Sequence, residues 1–294
     1  MSKPPFLTLP PGARACRLPT ARGEFAAHDI VPSGTACRGT ALLLPGFTGS
    51  KEDFIALLAP LADAGFRVVA VDGRGQYESP GPRTEDAYAL PELAHDVLAQ
   101  AAALDAPGLH LVGHSLGGLV ARAAVLRDAA PFRSLTLLSS GPGAVAQPQQ
   151  ERLELLLGAL GALDMAQVWE RMRALDPPEA ADAVTDPRLA RFLRDRWMAT
   201  RPAQLSVTGR ILLTEPDRVA ELAAVGLPVH VLSGASDYAW PVPLLDDMTR
   251  RLGAHRTVIE GADHSPNAEQ PAATATALAA FFGSVSPGGS VSPG

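Results

Sequence analysis

The sequence predicts an α/β fold with a mostly parallel central sheet flanked by helices, and three observations lead there. Short apolar runs alternate with helix patterns up to residue 140, the rhythm of buried parallel strands covered on both faces. Over residues 147–225 the rhythm stops and only helix patterns occur; it resumes at Leu227. Between an apolar strand pattern and a helix pattern stands Gly113-His114-Ser115-Leu116-Gly117, a G-x-S-x-G run placed at a strand-to-helix turn.

In chain order, residues 13–45 read as strands, ending in the run RGTALLLP before Pro45 and Gly46. A helix is predicted at 51–64, stopped by Gly65. FRVVAVD (66–72) is a buried strand entering the Gly-rich loop GRGQYESPGPR, and 90–104 is an amphipathic helix. Strand LHLVGHS, helix 116–129 and strand RSLTLLSS follow. After the all-helical stretch come LPVHVLSG, a helix over PVPLLDDMTRRLGA, strand HRTVIEG and a last helix from Pro271 to Phe282. At about 150 residues per domain, 294 residues allow two domains. The interrupted rhythm favours one: core over 1–146 and 226–283, a helical cap over 147–225 inserted after the sixth strand, and a disordered Ser/Pro/Gly tail over 284–294.

Composition narrows the function. Twenty-five basic against thirty-one acidic residues leave a formal charge of −6, and no Lys/Arg run occurs, so nucleic acid is excluded as a partner. Apolar residues make up 47% and charged residues 19%, enough for a sizeable core. The prolines at 4, 5, 10 and 11 break any signal-peptide run, and the apolar stretch near 272–282 is too short to span a bilayer. Two cysteines, Cys16 and Cys37, form no metal spacing and no disulfide framework, so a reduced, cytoplasmic protein is expected. No His/Asp/Glu pair has metal-ligand spacing and no GxxxxGK[ST] loop is present, so neither a metal nor a cofactor is expected.

A serine hydroxyl is a weak nucleophile near pH 7 and needs a base, which in turn needs an orienting carboxylate. His28, His110, His230 and His255 fall in or beside strand patterns and His95 on a helix, where packing or surface roles are expected. His114 adjoins Ser115 and points elsewhere. His264 lies in the polar loop GADHSPNAEQP after a strand, and Asp237 in SGASDYAWP likewise follows a strand directly. Asp263, next to His264, cannot readily turn back onto that ring, and Asp246 and Asp247 sit in a helix pattern.

The order of elements, the turn GHSLGG, the upstream loop PGFTGS and the late acid and histidine together resemble the α/β-hydrolase family over residues 20–283. The resemblance implies the α/β-hydrolase fold and a triad in the order Ser115, Asp237, His264. The backbone N–H groups of Leu116 and Phe47 are expected to hold an oxyanion. The family often carries His-Gly where Pro45-Gly46 stands here, and Thr48 is either an extra hydroxyl donor or a turn residue. Asp72-Gly73-Arg74-Gly75 resembles the family loop D-x-R-G-H-G-x-S but departs from it at Gln76 and Tyr77; Asp72 and Arg74 are expected to fix the loop.

In the cap, Met165, Trp169, Met172, Trp197 and Met198 are apolar groups able to wall a pocket or to pack the cap, and Trp240 is a candidate for the pocket rim. The expectation is a serine hydrolase acting on a small-molecule carboxylic ester or thioester of an apolar acyl group. C–C bond hydrolysis, acyl transfer or perhydrolysis by the same triad is the alternative, and a ligand-binding module on the same scaffold is a further one. Serine in place of a carboxylate at the turn argues against epoxide or haloalkane hydrolysis.

Overall fold

The computed structural model describes residues 2–34, 36–175 and 186–285. Of the tail expected over 284–294, Ser284 closes the last helix and residues 286–294 lie outside the described ones.

Eight strands form one sheet: β1 Ala13–Thr20, β2 Gly23–Ile30, β3 Gly39–Leu44, β4 Phe66–Val71, β5 Leu109–His114, β6 Phe132–Leu138, β7 Val229–Gly234 and β8 His255–Ile259. Their order is β1-β2-β4-β3-β5-β6-β7-β8. The first two make an antiparallel hairpin from Ala13↔Ile30 to Thr20↔Gly23, and β2 pairs antiparallel with β4. From β4 to β8 every pairing is parallel.

Helices α1 (Ile55–Asp63), α2 (Leu90–Leu104) and α3 (Leu116–Arg127) connect the first parallel strands. Between β6 and β7 the described residues hold α4 (Gln147–Ala162), α5 (Met165–Leu175), α6 (Pro187–Ala199), α7 (Pro202–Thr214) and α8 (Val219–Val225). The chain closes with α9 (Val242–Leu252), α10 (Pro266–Glu269) and α11 (Pro271–Ser284). One sheet face packs Leu57, Leu58 and Leu61 of α1 with Leu278 and Phe281 of α11. The other packs Leu93 and Val97 of α2, Leu119 of α3 and Leu245 of α9. Ala41, Leu42 and Leu43 of β3 are fully buried, the condition of a strand covered on both faces. Among the described residues no helix is long and apolar enough to cross a membrane, and no group of three or more His, Cys, Asp or Glu is placed to hold a metal ion.

The helix predicted over 51–64 is divided. A 3-10 turn, Lys51–Phe54, precedes α1, its start fixed by the Asp53 carboxylate reaching back to the Ser50 N–H at 3.2 Å. This turn carries a buried ion cluster. Lys51 Nζ lies 3.0 Å from Asp72 Oδ2, 2.9 Å from Glu52 and 2.7 Å from Glu78. Burial works against the ammonium, yet the charges of Asp72 and Glu52 and the hydrogen bonds to Glu78 and Glu52 raise its pKa above the ordinary lysine value. The Asp72 carboxylate also accepts the N–H groups of Lys51 and Glu78, and Arg74 is clamped by Asp96, so both fix the loop after β4.

Two predictions follow from these buried groups. Lys51→Met leaves the Asp72 carboxylate without its counter-charge and lowers the unfolding free energy by about 3–5 kcal/mol, read by urea denaturation; a change within experimental error contradicts the cluster's role. Burial lowers His28 and His110 to about 4 and His114 and His230 to about 3. The unfolded chain, with histidine near 6.5, therefore binds the extra protons, and stability falls as pH drops below 6.5. Each of these histidines costs about 1.4 kcal/mol by pH 5.5, so the urea midpoint should fall between pH 7.5 and 5.5 rather than stay level.

Candidate active site

β5 ends at His114 and α3 begins at Leu116, so Ser115 alone makes the turn, with φ 54° and ψ −119°. That conformation is strained for a residue with a side chain and is held by close backbone packing. A Cβ on Gly113 would lie 2.2 Å from the Gly117 carbonyl oxygen, and one on Gly117 would lie 2.5 Å from the Leu44 carbonyl oxygen. Only glycine admits these approaches. The Ser115 N–H donates to Leu138 at 2.9 Å, which ties the turn to β6.

The structure brings the three expected side chains together. His264, on the loop between β8 and α10, places Nε2 3.0 Å from Ser115 Oγ. Its Nδ1 lies 2.9 and 3.0 Å from the two oxygens of Asp237, just beyond β7. Asp237 is held in turn by the N–H groups of Ala239 and Trp240 at 2.8 and 3.0 Å. All three residues are buried. A neutral ring protonated at Nδ1 donates to Asp237 and accepts the Ser115 hydroxyl proton at Nε2. The rival acids are engaged elsewhere: Asp263 accepts the Ser236 hydroxyl, Asp246 pairs with Arg256 and Asp247 with Arg250. His114 turns away from Ser115, and its Nε2–H donates to the His264 carbonyl oxygen at 2.9 Å. Kept neutral by its burial and by His264 beside it, this ring props the histidine loop from below.

Phe47 lines the cavity that holds Ser115 and His264. Leu116 opens α3, so its N–H is one of the first-turn donors with no intrahelical acceptor. Thr48, at φ 61°, is a turn residue and also lines the cavity. Gln76, which departs from the family loop, spans the space beneath: its Nε2 donates to the Gly46 carbonyl at 2.9 Å and its Oε1 accepts the Gly73 N–H at 3.0 Å. It thereby couples the loop after β4 to the loop that presents Phe47. The sequence pattern marked Gln76 only as a departure.

The cavity measures about 570 Å³, open solvent at its mouth included. Its apolar lining includes Phe47, Val145, Leu153 and Leu212, and its polar lining includes Thr48, Asp53, Gln149, Tyr238 and Ser265. An outer groove shares Phe47, Thr48, Gln149 and Leu153 with it and adds Arg152, Leu156 and Met172.

The tryptophans expected at the pocket lie elsewhere. Trp169 and Trp197 are buried in the interior of the helical segment, 6.4 Å apart, with Leu193 and Leu205. Met165 packs against that cluster and accepts the Trp197 indole N–H on its carbonyl at 2.8 Å. Apolar faces of neighbouring helices satisfy one another before any ligand arrives. Trp240 is fully buried behind His264, its indole N–H on the Gly143 and Ala144 carbonyls and its ring against Gly141. The rim position belongs to Tyr238, half exposed, with its ring 4.8 Å from that of His264. Of the other methionines in the helical segment, Met172 reaches the outer groove and Met198 is exposed.

Comparison with known proteins identifies the family. Residues 41–277 match the alpha/beta hydrolase family. The chain belongs to that family. This α/β-hydrolase is similar to the pimeloyl-[acyl-carrier protein] methyl ester esterase of Aeromonas hydrophila, 34% identical over 224 residues that cover 73% of this chain and 84% of that protein. It is 25% identical to 3-oxoadipate enol-lactonase 1 of Acinetobacter baylyi over 70% of this chain and 74% of that one. In fold it resembles a thermophilic esterase from Thermogutta terrifontis, with a TM-score of 0.73, 22% identity and coverage of 92% of this chain and 99% of that one.

The packing of the turn is directly testable. Gly117→Ala forces a methyl group against the Leu44 and Pro45 carbonyls and should destabilise the α/β-hydrolase by about 1–3 kcal/mol. A melting temperature equal to that of the wild type contradicts the close approach.

Proposed function

We propose that this chain is a serine hydrolase that cleaves a carboxylic ester or thioester of an apolar acyl group. The observation that carries the reading is the unbroken line of hydrogen bonds from Ser115 Oγ through His264 to Asp237, at 3.0 and 2.9 Å. Ser115 Oγ attacks the carbonyl carbon while His264 Nε2 takes the hydroxyl proton, and Asp237 steadies the resulting imidazolium. The N–H groups of Phe47 and Leu116 receive the oxyanion. Collapse breaks the bond to the leaving group, which takes the proton from His264. Water, deprotonated by the same ring, then attacks the acyl-enzyme and frees the acid and Ser115.

In this reading residues 147–225 are a cap on a core formed by 1–146 and 226–283. Its support is that α4 and α7 supply Gln149, Leu153 and Leu212 to the cavity around Ser115. The apolar lining of that cavity suits an acyl chain, and the names of the relatives describe a methyl ester and an enol lactone, both carboxylic esters. Both cysteines are free thiols, which supports a reducing, cytoplasmic setting.

A fluorophosphonate probe should label the wild type at Ser115 and leave Ser115→Ala unlabelled. His264→Ala should lower kcat on a p-nitrophenyl ester by about 10³-fold or more with the thermal unfolding transition retained. Equal labelling of wild type and Ser115→Ala, or near-normal turnover by His264→Ala, sinks the mechanism.

A further inference from the structure

Residues 2–9 precede the sheet, yet Ser2 lines the cavity that holds Ser115 and His264. It is held there by a cation. The Ser2 carbonyl oxygen accepts a hydrogen bond from Arg196 Nη2 at 2.7 Å. Arg196, on α6, is fully buried; its Nη1 donates to Asp53 Oδ1 at 2.8 Å and to Ser50 Oγ at 3.4 Å. The two Nη groups of this buried guanidinium are shared among a carboxylate, a hydroxyl and the Ser2 carbonyl, while Nε has no partner among the described residues. Asp53 lines the same cavity, and its own carbonyl accepts the Asn267 amide at 2.7 Å, three residues beyond His264. Pro4 is buried and, with Pro5, restricts the backbone of the segment.

The outer groove shares Phe47, Thr48, Gln149 and Leu153 with the cavity, whereas Ser2 and Asp53 line the cavity alone.

We propose that residues 2–5, clamped by Arg196, form one wall of the cavity around Ser115 and limit the length of acyl chain the enzyme accepts. The proposal rests on the ester-hydrolase reading above and adds a specificity element that no motif marks. Arg196 is a positioning residue: it acts on the substrate only through the segment and the Asp53 turn it holds.

The test compares p-nitrophenyl esters from acetate to decanoate on the full chain, on a variant lacking residues 2–5 and on Ser2→Trp. The deletion should raise the ratio of kcat/KM for octanoate to that for acetate by about tenfold or more, and Ser2→Trp should lower it by a similar factor. Arg196→Lys keeps the charge but loses the two-armed contact, and it should shift the ratio in the same direction as the deletion. An unchanged chain-length profile in both the deletion and Ser2→Trp, each with a cooperative thermal transition, overturns the proposal. Fluorophosphonate labelling separates the two readings. A wild type that is neither labelled nor active on any of the esters defeats the hydrolase reading itself, whereas active variants with identical profiles defeat only the proposed wall.

Discussion

Ser115 sits in a backbone conformation that costs on the order of 1–3 kcal/mol, and the close packing around it is what keeps it there. Gly113 lets β5 lie against the start of α3, and Gly117 lets α3 lie against the carbonyls of Leu44 and Pro45. The second contact does more than relieve crowding. It brings the end of β3 beside the serine: a Cβ on Gly46, in the loop that carries Phe47, would lie 3.2 Å from the Ser115 Cβ. The proposed nucleophile and both proposed oxyanion donors thus share one geometric cause.

Around that turn the protein spends charge on holding loops. Lys51 joins the turn after β3 to the loop after β4 through Asp72 and Glu78. Arg196 joins the same turn to α6 through Asp53, with both side chains fully buried. Buried pairs of this kind add little net stability, but their directional bonds leave few alternative arrangements. The loops after β3 and β4 and helix α6 are thereby fixed relative to one another. The neutral supports, Gln76 under Gly46 and His114 under the His264 carbonyl, complete the frame.

The parts legible in advance were those encoded by local pattern. Parallel strands buried on both faces read as continuous apolar runs, and β3 to β8 lie close to where those runs predicted them. The polar loops holding Asp237 and His264 stood out because each follows such a run. Trp240 illustrates the opposite case. Its spacing from Asp237 suggested the rim, but indole is large and apolar and found the carbonyls of Gly143 and Ala144 in the interior, while Tyr238 took the exposed place. Trp169 and Trp197 show the same preference inside the helical segment.

What the sequence by itself determined is the α/β order of elements, the serine turn and the residue types able to serve it, because these depend on neighbours a few positions apart. Only the tertiary structure decided which side chains wall the cavity, that Gln76 braces the Phe47 loop, and that Ser2 meets Arg196 across 194 positions of chain. Those contacts arise from the competition of buried polar groups for partners, and that competition is settled by three-dimensional proximity, which no local pattern records.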